Sequence, residues 1–216
     1  MNISPRLKRI ADMVKHGTKL ADIGTDHGFL PIYLLKNNKI DFAICSDIKK
    51  GPLSTAEKNL KKYGFSDKVR LTLADGLKGI MPNEADSAVI AGMGGEMIAH
   101  ILDDGIPEGI KEFILQPMRN IPALRKKIHQ LKMTILNEVL IREKDKFYIV
   151  MHVIAGEEMP WTEDEYICSK FLKKDLLWNE YAESERKKIL AALSKLNDSD
   201  DEDRKKEFEK LLNIYK

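Results

Sequence analysis

Short apolar runs rich in branched residues alternate with stretches of helical spacing through residues 1–155. Such runs predict strands, and apolar positions three or four residues apart predict the helices between them. The segments predicted as strands are residues 19–23, 42–46, 69–73, 87–91, 112–116, 134–142 and 147–155. The segments predicted as helices are residues 30–36, 53–63, 97–103 and 121–131. This alternation is typical of βα units, so we expect an α/β fold with a mostly parallel sheet.

The last two predicted strands have no helix between them. Only residues 143–146 separate them, and this short polar connection predicts a hairpin of two antiparallel strands. Because the hairpin follows five βα units, we expect it at one edge of the sheet. The predicted sheet is therefore mostly parallel with an antiparallel edge strand.

The pattern changes at residues 159–161, after which the spacing is helical throughout. Thr162 and Glu165 are spaced as a capping box, in which two side chains satisfy free amides at the start of a helix. Two apolar stripes follow, separated by turn-forming residues at 197–200. The stripes are Ile189, Leu193 and Leu196, then Phe208, Leu211, Leu212 and Tyr215. They predict an antiparallel helical hairpin.

Composition and length agree with a folded chain of one full-sized domain and a small appendage. The chain has 216 residues, of which 43% are hydrophobic and 32% are charged. We divide it into a domain of residues 1–160 and a helical hairpin of residues 161–216. No apolar run approaches the roughly 18 residues of a membrane span, and the first residues lack the apolar segment of a secretory signal. We therefore expect a soluble cytoplasmic protein without membrane contact.

Two further features limit the chemistry. Cys45 and Cys168 stand far from each other and from any histidine at metal-ligand spacing, so we expect neither a disulfide nor a metal site. The net charge is +2, which excludes a protein that binds nucleic acid by bulk charge alone. The first twenty residues are nevertheless basic, with one acid, Asp12. Their basic residues are Arg6, Lys8, Arg9, Lys15 and Lys19. They could meet an anionic partner, but on charge alone a solvated helix face is the preferred interpretation.

The sequence Ala-Asp-Ile-Gly-Thr-Asp-His-Gly at 21–28 lies where the first strand turns into the first predicted helix. Loops at the carboxyl ends of parallel strands bind ligands. The dinucleotide fingerprint would need glycine at Asp26, and the carboxylate there would repel two phosphates. The loop therefore suits a nucleoside without phosphates, such as S-adenosylmethionine, whose sulfonium and ammonium groups a carboxylate at Asp22 or Asp26 attracts. A purely structural turn is the alternative.

Two more carboxylates follow the next strands. Asp47 ends the second strand, where an acid accepts both hydroxyls of a ribose, and Asp75 follows the third, where it can accept the adenine amine. Each one singly could be a helix N-cap. Acids at three successive strand ends are better explained by adenosine binding.

The fourth and fifth strands end in residues suited to a second substrate. Three glycines, Gly92, Gly94 and Gly95, let a planar group approach the backbone closely. Gln116 could offer an amide to a base or to the cofactor, and Arg119 could reach phosphates. The basic cluster Arg125, Lys126 and Lys127 could also reach phosphates. For that cluster a solvated helix face is an equal alternative.

Five blocks in this order resemble one family, the bacterial tRNA adenine-22 N1-methyltransferases, often called TrmK. The blocks are ADIGTDHGFLP at 21–31, SDIKKGPL at 46–53, ADGL at 74–77, AGMGG at 91–95 and LQP at 115–117. The resemblance spans essentially the whole chain. It implies a class I, Rossmann-like methyltransferase fold over residues 1–160 and a coiled-coil-like hairpin over residues 161–216. It also implies transfer of a methyl group from S-adenosylmethionine to N1 of adenine 22 in tRNA.

The candidate residues are assigned from these motifs together. The expected cofactor contacts are Asp22, Gly24, Thr25, Asp26, His27, Gly28, Asp47, Asp75, Gly76, Ala91, Gly92 and Met93. The expected tRNA contacts are Arg6, Lys8, Arg9, Phe29, Gly94, Gly95, Gln116, Arg119, Arg125, Lys126 and Lys127. Asp26 is the candidate catalytic carboxylate, which would accept a hydrogen bond from the adenine N6 and so stabilise the positive charge that develops on the base. His27 could instead shuttle the N6 proton, or it could only support the loop. No residue is assigned to a metal, and we expect a monomer because the hairpin stripes can satisfy each other.

Adenine 22 must leave its stack to be methylated at N1, so an aromatic platform is expected in the site. Phe29 is the nearest candidate by sequence, followed by Tyr148 and Trp161, although an aromatic residue in each of these places is more often part of the core. Two other functions stay open. One is methylation of a small molecule or a protein, and the other is a non-catalytic RNA-binding protein with a relic cofactor pocket.

Overall fold

A computed structural model describes residues 1–196 and 202–216. The strands are β1 (Leu20–Ile23), β2 (Ala43–Asp47), β3 (Val69–Leu73), β4 (Ser87–Met93), β5 (Glu112–Pro117), β6 (Met133–Glu143) and β7 (Lys146–Ala155). The α-helices are α1 (Pro5–Met13), α2 (Phe29–Lys36), α3 (Lys50–Tyr63), α4 (Gly95–Asp103), α5 (Ile121–Gln130), α6 (Glu163–Ile167), α7 (Trp178–Leu193) and α8 (Glu202–Ile214). The predicted strands and helices of residues 19–155 are all present, with ends shifted by up to three residues.

The seven strands form one sheet in the order β3-β2-β1-β4-β5-β7-β6. Strands β1 to β5 pair in parallel, whereas β7 is antiparallel to both β5 and β6. This confirms the α/β class and the hairpin at the edge, and it places the reversed strand second from that edge. Because the chain extends from β1 to one side and from β4 to the other, the carboxyl ends of β1 and β4 flank a topological switch point.

The central strands are buried on both faces, as parallel strands covered by helices must be. Along β1, Leu20 packs into one apolar cluster, while Ala21 and Ile23 pack into the other. Helices α1 to α3 cover the first face. Helices α4 and α5 and the C-terminal helices cover the second. The molecule is thus a three-layer sandwich whose loops at one end are free to form a site.

Helix α1 was absent from the predicted elements. Its start carries a local signal, because the Ser4 side chain accepts a hydrogen bond from the amide of Leu7 and Pro5 occupies the first turn. Ile10 and Ala11 are buried against the sheet. The helix was not predicted because its apolar face is narrow and charged residues stand on either side of it in the sequence.

The C-terminal segment is helical but not throughout. The predicted capping box is present at α6, where Thr162 and Glu165 bond reciprocally. Between α6 and α7 the chain forms a single 3₁₀ turn at Leu172–Lys174 in otherwise irregular structure. Helices α7 and α8 pack on each other and share the apolar cluster of the second sheet face. The predicted turn at 197–200 lies outside the described residues, and the domain boundary at residue 160 stays a prediction.

Both cysteines are buried and free. Within the described ranges, no helix is long and apolar enough to cross a membrane.

Candidate active site

A cleft of about 1040 Å³ lies at the carboxyl ends of β1 to β5, beside the switch point. Open parallel sheets bind their ligands at this place. The cleft brings most of the predicted site residues together: Arg6, Asp22, Gly24, Thr25, Asp26, His27, Phe29, Asp47, Asp75, Gly76, Ala91, Gly92, Met93, Gly94, Gln116 and Arg119. Seven others do not line it: Lys8, Arg9, Gly28, Gly95, Arg125, Lys126 and Lys127.

The loop between β1 and α2 turns through three left-handed residues, Gly24 (φ +73°), Asp26 (φ +50°) and Gly28 (φ +69°). The amides of Gly24 and Thr25 both donate to the carbonyl of Ser46, at 2.8 and 3.2 Å, which ties the loop to β2. A Cβ at Gly24 would lie 2.2 Å from the Met93 methyl carbon. The positive φ therefore favours glycine there, whereas the end of the flexible Met93 side chain could move aside for a Cβ.

Asp22 lies at the bottom of the cleft and is almost fully buried. Its carboxylate accepts a hydrogen bond of 2.6 Å from the Thr25 hydroxyl. Burial raises the pKa of Asp22 to about 6, and the negative charge of Asp47 adds to the rise. The hydrogen bond from Thr25 acts in the opposite direction and lowers the pKa. A positively charged ligand in the cleft would stabilise the ionised form of this carboxyl.

Asp26, His27 and Phe29 form the outer part of the same loop. The His27 Nε2 lies 3.3 Å from an Asp26 carboxylate oxygen, and the imidazole stacks on the Phe29 ring with centroids 5.4 Å apart. All three side chains are substantially exposed toward the cleft. His27 is thus held by a carboxylate on one side and by a ring on the other, and Phe29 presents apolar surface to a ligand.

Asp47 and Asp75 stand at the next two strand ends, as predicted. One oxygen of Asp47 accepts from the amide of Lys49 at 2.8 Å, which fixes the carboxylate, while the other has no partner among the described residues. Asp75 is exposed and lies 3.3 Å from the Lys78 ammonium, which also contacts Asp104 at 2.7 Å. Both acids therefore keep acceptor capacity for a ligand.

The end of β4 contains a bulge between Ala91 and Met93, opposite β5. Gly92, at its centre, has a φ of +78°, and a Cβ there would meet nothing within 4 Å. The free space above Gly92 belongs to the cleft. Gly94 begins the next turn, where a Cβ would lie 3.3 Å from the Arg119 Nε.

Gly28 and Gly95 do not line the cleft, and each lies close to a neighbouring chain segment. Gly28 caps α2 in a left-handed conformation, and a Cβ there would lie 3.2 Å from that of Ala56. A Cβ at Gly95 would lie 2.4 Å from the carbonyl oxygen of Asn120. Both glycines permit close approach of chain segments beneath the cleft.

Gln116 does not offer a free amide, which corrects the prediction. It is fully buried, its Oε1 accepts from Arg6 Nη1 at 2.9 Å and from the Gly92 amide at 3.1 Å, and its Nε2 donates to the Pro117 carbonyl at 2.8 Å. The side chain joins α1, β4 and β5. Its role in the site is therefore support.

The three basic residues predicted on α5 do not line the cleft, and the structure contradicts the prediction for Arg125. Arg125 is wholly buried in an ion pair of 2.7 Å with Glu138. The prediction that Arg125 contacts tRNA was therefore wrong. Lys126 pairs with Glu163 at 2.6 Å and Lys127 with Asp103 at 3.1 Å, both outside the cleft. Of the predicted basic residues, Arg119 lies in the cleft with a guanidinium that has no partner in the described part of the chain.

The two alternative aromatic platforms lie elsewhere. Trp161 packs among His129, Tyr166 and Phe171 in the C-terminal segment, away from the cleft. Tyr148 supports Arg6, whose guanidinium carbon lies 4.9 Å above the centre of its ring. Phe29 alone of the three lines the cleft.

Several lining residues were missed by the sequence analysis. Ile48, Met97 and Met118 expose 63%, 55% and 47% of their surface at the rim of the cleft. Ile48 follows the Asp47 carboxylate directly, so an apolar side chain after an acid at a strand end was an available signal. The two methionines flank the Gly94 turn and carried no such signal.

The charges of the cleft suit a cationic ligand. Its walls hold five carboxylates and three lysine or arginine side chains. The acids are Asp22, Asp26, Asp47, Asp75 and Glu96, and the bases are Arg6, Lys49 and Arg119. A ligand with diphosphate would meet repulsion here, whereas a sulfonium and an ammonium would be attracted. The donors, the open space above Gly92 and the exposed Ile48 fit an adenosine-containing sulfonium cofactor.

Comparison with known proteins agrees with this geometry. A methyltransferase-domain family model matches residues 3–151. The tRNA (adenine(22)-N(1))-methyltransferase of Bacillus subtilis is 36% identical over 159 residues, which cover 73% of this chain and 67% of the relative.

Two solved structures cover nearly all of this chain. A Streptococcus pneumoniae protein in complex with S-adenosyl-L-methionine is 30% identical, with a TM-score of 0.90 over 99% of this chain and 98% of that one. TrmK of M. capricolum in complex with S-adenosyl-homocysteine is 27% identical, with a TM-score of 0.85 over 99% of both chains. By its sequence and its fold, the chain belongs to the tRNA (adenine(22)-N(1))-methyltransferase family.

Proposed function

We propose that this protein transfers a methyl group from S-adenosylmethionine to N1 of adenine 22 in tRNA. The observation that carries the proposal is the convergence of Asp22, Asp47 and Asp75 from three successive strand ends on one cleft whose opposite side is open backbone at Gly92. The side with the three carboxylates suits an adenosine that carries a sulfonium. The opposite side suits a flat acceptor. Membership of the family names that acceptor.

Three carboxylates and a loop would hold the cofactor. Asp47, with one free oxygen, is suited to the ribose hydroxyls, and Asp75 to the adenine amine. Ile48 would cover one face of the adenine. Asp22 and the Gly24 turn would border the methionine part, where the ammonium favours the Asp22 carboxylate. When bound, the cofactor supplies an electrophilic methyl group.

The residues on the acceptor side need to orient the base more than to activate it. N1 of adenine already has a lone pair, so no proton has to leave before attack. After attack, the positive charge on the ring is relieved when N6 loses a proton. Asp26 is exposed in the cleft and can accept a hydrogen bond from N6 as that charge develops. His27, 3.3 Å from Asp26, can carry the proton onward to solvent.

An extruded adenine needs a surface to replace the stacking that it loses. Phe29 exposes 39% of its surface in the cleft, and Met97 and Met118 add apolar rim on the far side. Arg119 lies beside the Gly94 turn, and its guanidinium, which has no partner within residues 1–196 and 202–216, can bind a phosphate of the same nucleotide. We propose a monomer that works in the cytoplasm, with Lys8 and Arg9, exposed on α1, as further phosphate contacts.

The test uses labelled S-adenosylmethionine and two unmodified tRNA transcripts that differ only in having adenine or guanine at position 22. The label should appear as 1-methyladenosine in the first transcript and be absent from the second. Label in both would refute the position, and label only in metabolites or protein would refute RNA as the substrate. Cofactor binding without any transfer would favour a non-catalytic RNA-binding protein.

A matched pair of variants tests the cofactor site. Asp47→Asn should raise KM for S-adenosylmethionine about 10- to 100-fold, because a hydrogen bond to a charged group contributes about 1.5–3 kcal/mol. Asp67→Asn removes an exposed carboxylate outside the cleft and should leave KM unchanged. Equal KM values in the two variants would remove Asp47 from the site.

A further inference from the structure

The guanidinium of Arg6 lines the cleft and is only partly buried, but neighbouring protein groups hold it in place. Its Nη1 donates to Gln116 Oε1 at 2.9 Å and lies 3.2 Å from the Met118 sulfur, while the group lies over the Tyr148 ring at 4.9 Å. An arginine placed between a hydrogen-bond acceptor and an aromatic face is fixed in both direction and plane. Arg119, by contrast, lies in the same cleft with a guanidinium that has no partner among the described residues.

Gln116 transmits this contact to the floor of the cleft. Its Oε1 also accepts from the Gly92 amide at 3.1 Å, and its Nε2 donates to the Pro117 carbonyl at 2.8 Å. If the amide were reversed, the Gly92 amide and the Arg6 guanidinium would both face an NH₂ group, which cannot accept. Arg6 therefore adds a charged donor that holds the amide in the one orientation that binds Gly92.

The position of the Gly92 backbone decides where the acceptor base would lie in the cleft. It lies in the β4 bulge, with a φ of +78° and open cleft above it. The amide of Gly92 has its hydrogen bond to Gln116 in place of a regular strand partner. A shift of this backbone would move the surface on which the acceptor lies relative to Asp26.

We infer that Arg6 is a positioning residue for methyl transfer, which acts through Gln116 to fix the Gly92 backbone under the acceptor base. This inference rests on the proposed function. It assigns α1 to the acceptor side of the cleft and separates Arg6 from the phosphate contacts with which its charge had grouped it.

The test compares the wild type with Arg6→Ala, Arg6→Lys, Gln116→Leu and the double variant Arg6→Ala/Gln116→Leu. Arg142→Ala is the matched control, because Arg142 is an exposed arginine in an ion pair with Glu180 away from the cleft. Calorimetric titration with S-adenosylmethionine gives its Kd and the folded fraction of each preparation. Steady-state kinetics with the adenine-22 transcript give kcat and KM, and tRNA binding at several salt concentrations gives the salt slope.

Arg6→Ala should lower kcat about 10- to 100-fold, as small misplacements of reactants do, with cofactor Kd and tRNA KM within about twofold of the wild type and the salt slope unchanged. Arg6→Lys should be intermediate, since an ammonium donates to Gln116 but does not fill the planar place over Tyr148. The double variant should be within about twofold of Gln116→Leu, because both changes break one chain of contacts. The control should match the wild type.

Three outcomes would overturn the inference. If Arg6→Ala raises tRNA KM and reduces the salt slope by about one at unchanged kcat, Arg6 is a phosphate contact. If the losses in the double variant multiply, Arg6 does not act through Gln116. If kcat per folded enzyme is unchanged, Arg6 positions nothing. Failure of the wild type to methylate the transcript is a separate result, which refutes the proposed function and this inference with it.

Discussion

Replacement of Arg125 by methionine should destabilise the protein strongly and leave the salt dependence of tRNA binding unchanged. The Arg125 side chain is completely buried between α5 and β6. Its Nε and Nη2 donate to the two carboxylate oxygens of Glu138, each at 2.7 Å, and its Nη1 donates to the carbonyls of Tyr166 and Ile167 at 2.8 and 2.9 Å. The same carboxylate accepts from the Ser169 hydroxyl at 2.5 Å. The pair thus joins the sheet to α6.

The magnitude follows from what the variant leaves behind. Burial by itself lowers the pKa of Arg125, but the charge and hydrogen bonds of Glu138 raise it above its ordinary value, so the guanidinium stays charged. Methionine would leave the Glu138 carboxylate buried with Ser169 as its hydrogen-bond donor. Removal of one partner from a buried pair costs about 3–5 kcal/mol. For a chain of this length, each kcal/mol lowers Tm by about 2–4 °C, which gives a fall of about 6–20 °C.

Thermal and urea unfolding followed by circular dichroism would measure the loss. Lys126→Met is the matched control, because its ion pair with Glu163 is on the surface and should contribute less than about 1 kcal/mol. The double variant Arg125→Met/Glu138→Leu should recover part of the loss, since no charge is then left buried. A loss below about 1 kcal/mol in Arg125→Met, or a double variant as unstable as the sum of the single ones, would refute the reasoning. A fall in the salt slope would return Arg125 to the tRNA contacts.

Three further outcomes are expected. Burial raises the pKa of the Asp22 carboxyl to about 6, so the folded protein binds the carboxyl proton more tightly than the unfolded chain does. The free energy of unfolding should therefore fall by up to about 3 kcal/mol as the pH rises from about 4 to about 6. Asp22→Asn should remove that slope in urea titrations at each pH. Gly24→Ala should weaken cofactor binding in calorimetry, because alanine is strained at a φ of +73° and its Cβ, 2.2 Å from the Met93 methyl carbon, would displace that side chain. Gly24→Ala/Met93→Ala should relieve the second effect and leave the first. Arg119→Ala should reduce the salt slope of tRNA binding by about one, whereas Arg142→Ala should not change it.

The cofactor half of the cleft could be predicted because local sequence determines it. The β1–α2 loop has five residues, Gly24 to Gly28, and its tight turn places both glycines at positive φ. Asp47 and Asp75 follow strands that are recognisable from their apolar runs. The carboxyl ends of parallel strands meet by construction, so the order of elements was enough to bring the three acids together.

The error at Arg125 shows what a charge pattern misses. Residues 125–127 are all basic, but successive helical residues are turned by 100°, so the three cannot share one face. Arg125 is four residues after Ile121 and three before Ile128, on the predicted apolar stripe of α5. That spacing was a signal for burial. What the sequence could not show was Glu138, thirteen residues later on β6, without which an arginine on an apolar face has no partner.

The acceptor half of the cleft depends on contacts between distant parts of the chain. Arg6 and Gln116 are 110 residues apart, and each has an ordinary local interpretation, as a surface cation and as a strand-end amide. Their hydrogen bond exists because α1 packs over β5, β6 and β7. Long-range packing therefore decides how an acceptor lies, while local loops decide how the cofactor lies. It follows that substitutions at residues 22–25 should impair cofactor binding with any acceptor, whereas changes of acceptor should map to Asp26, to α1 and to residues 116–119.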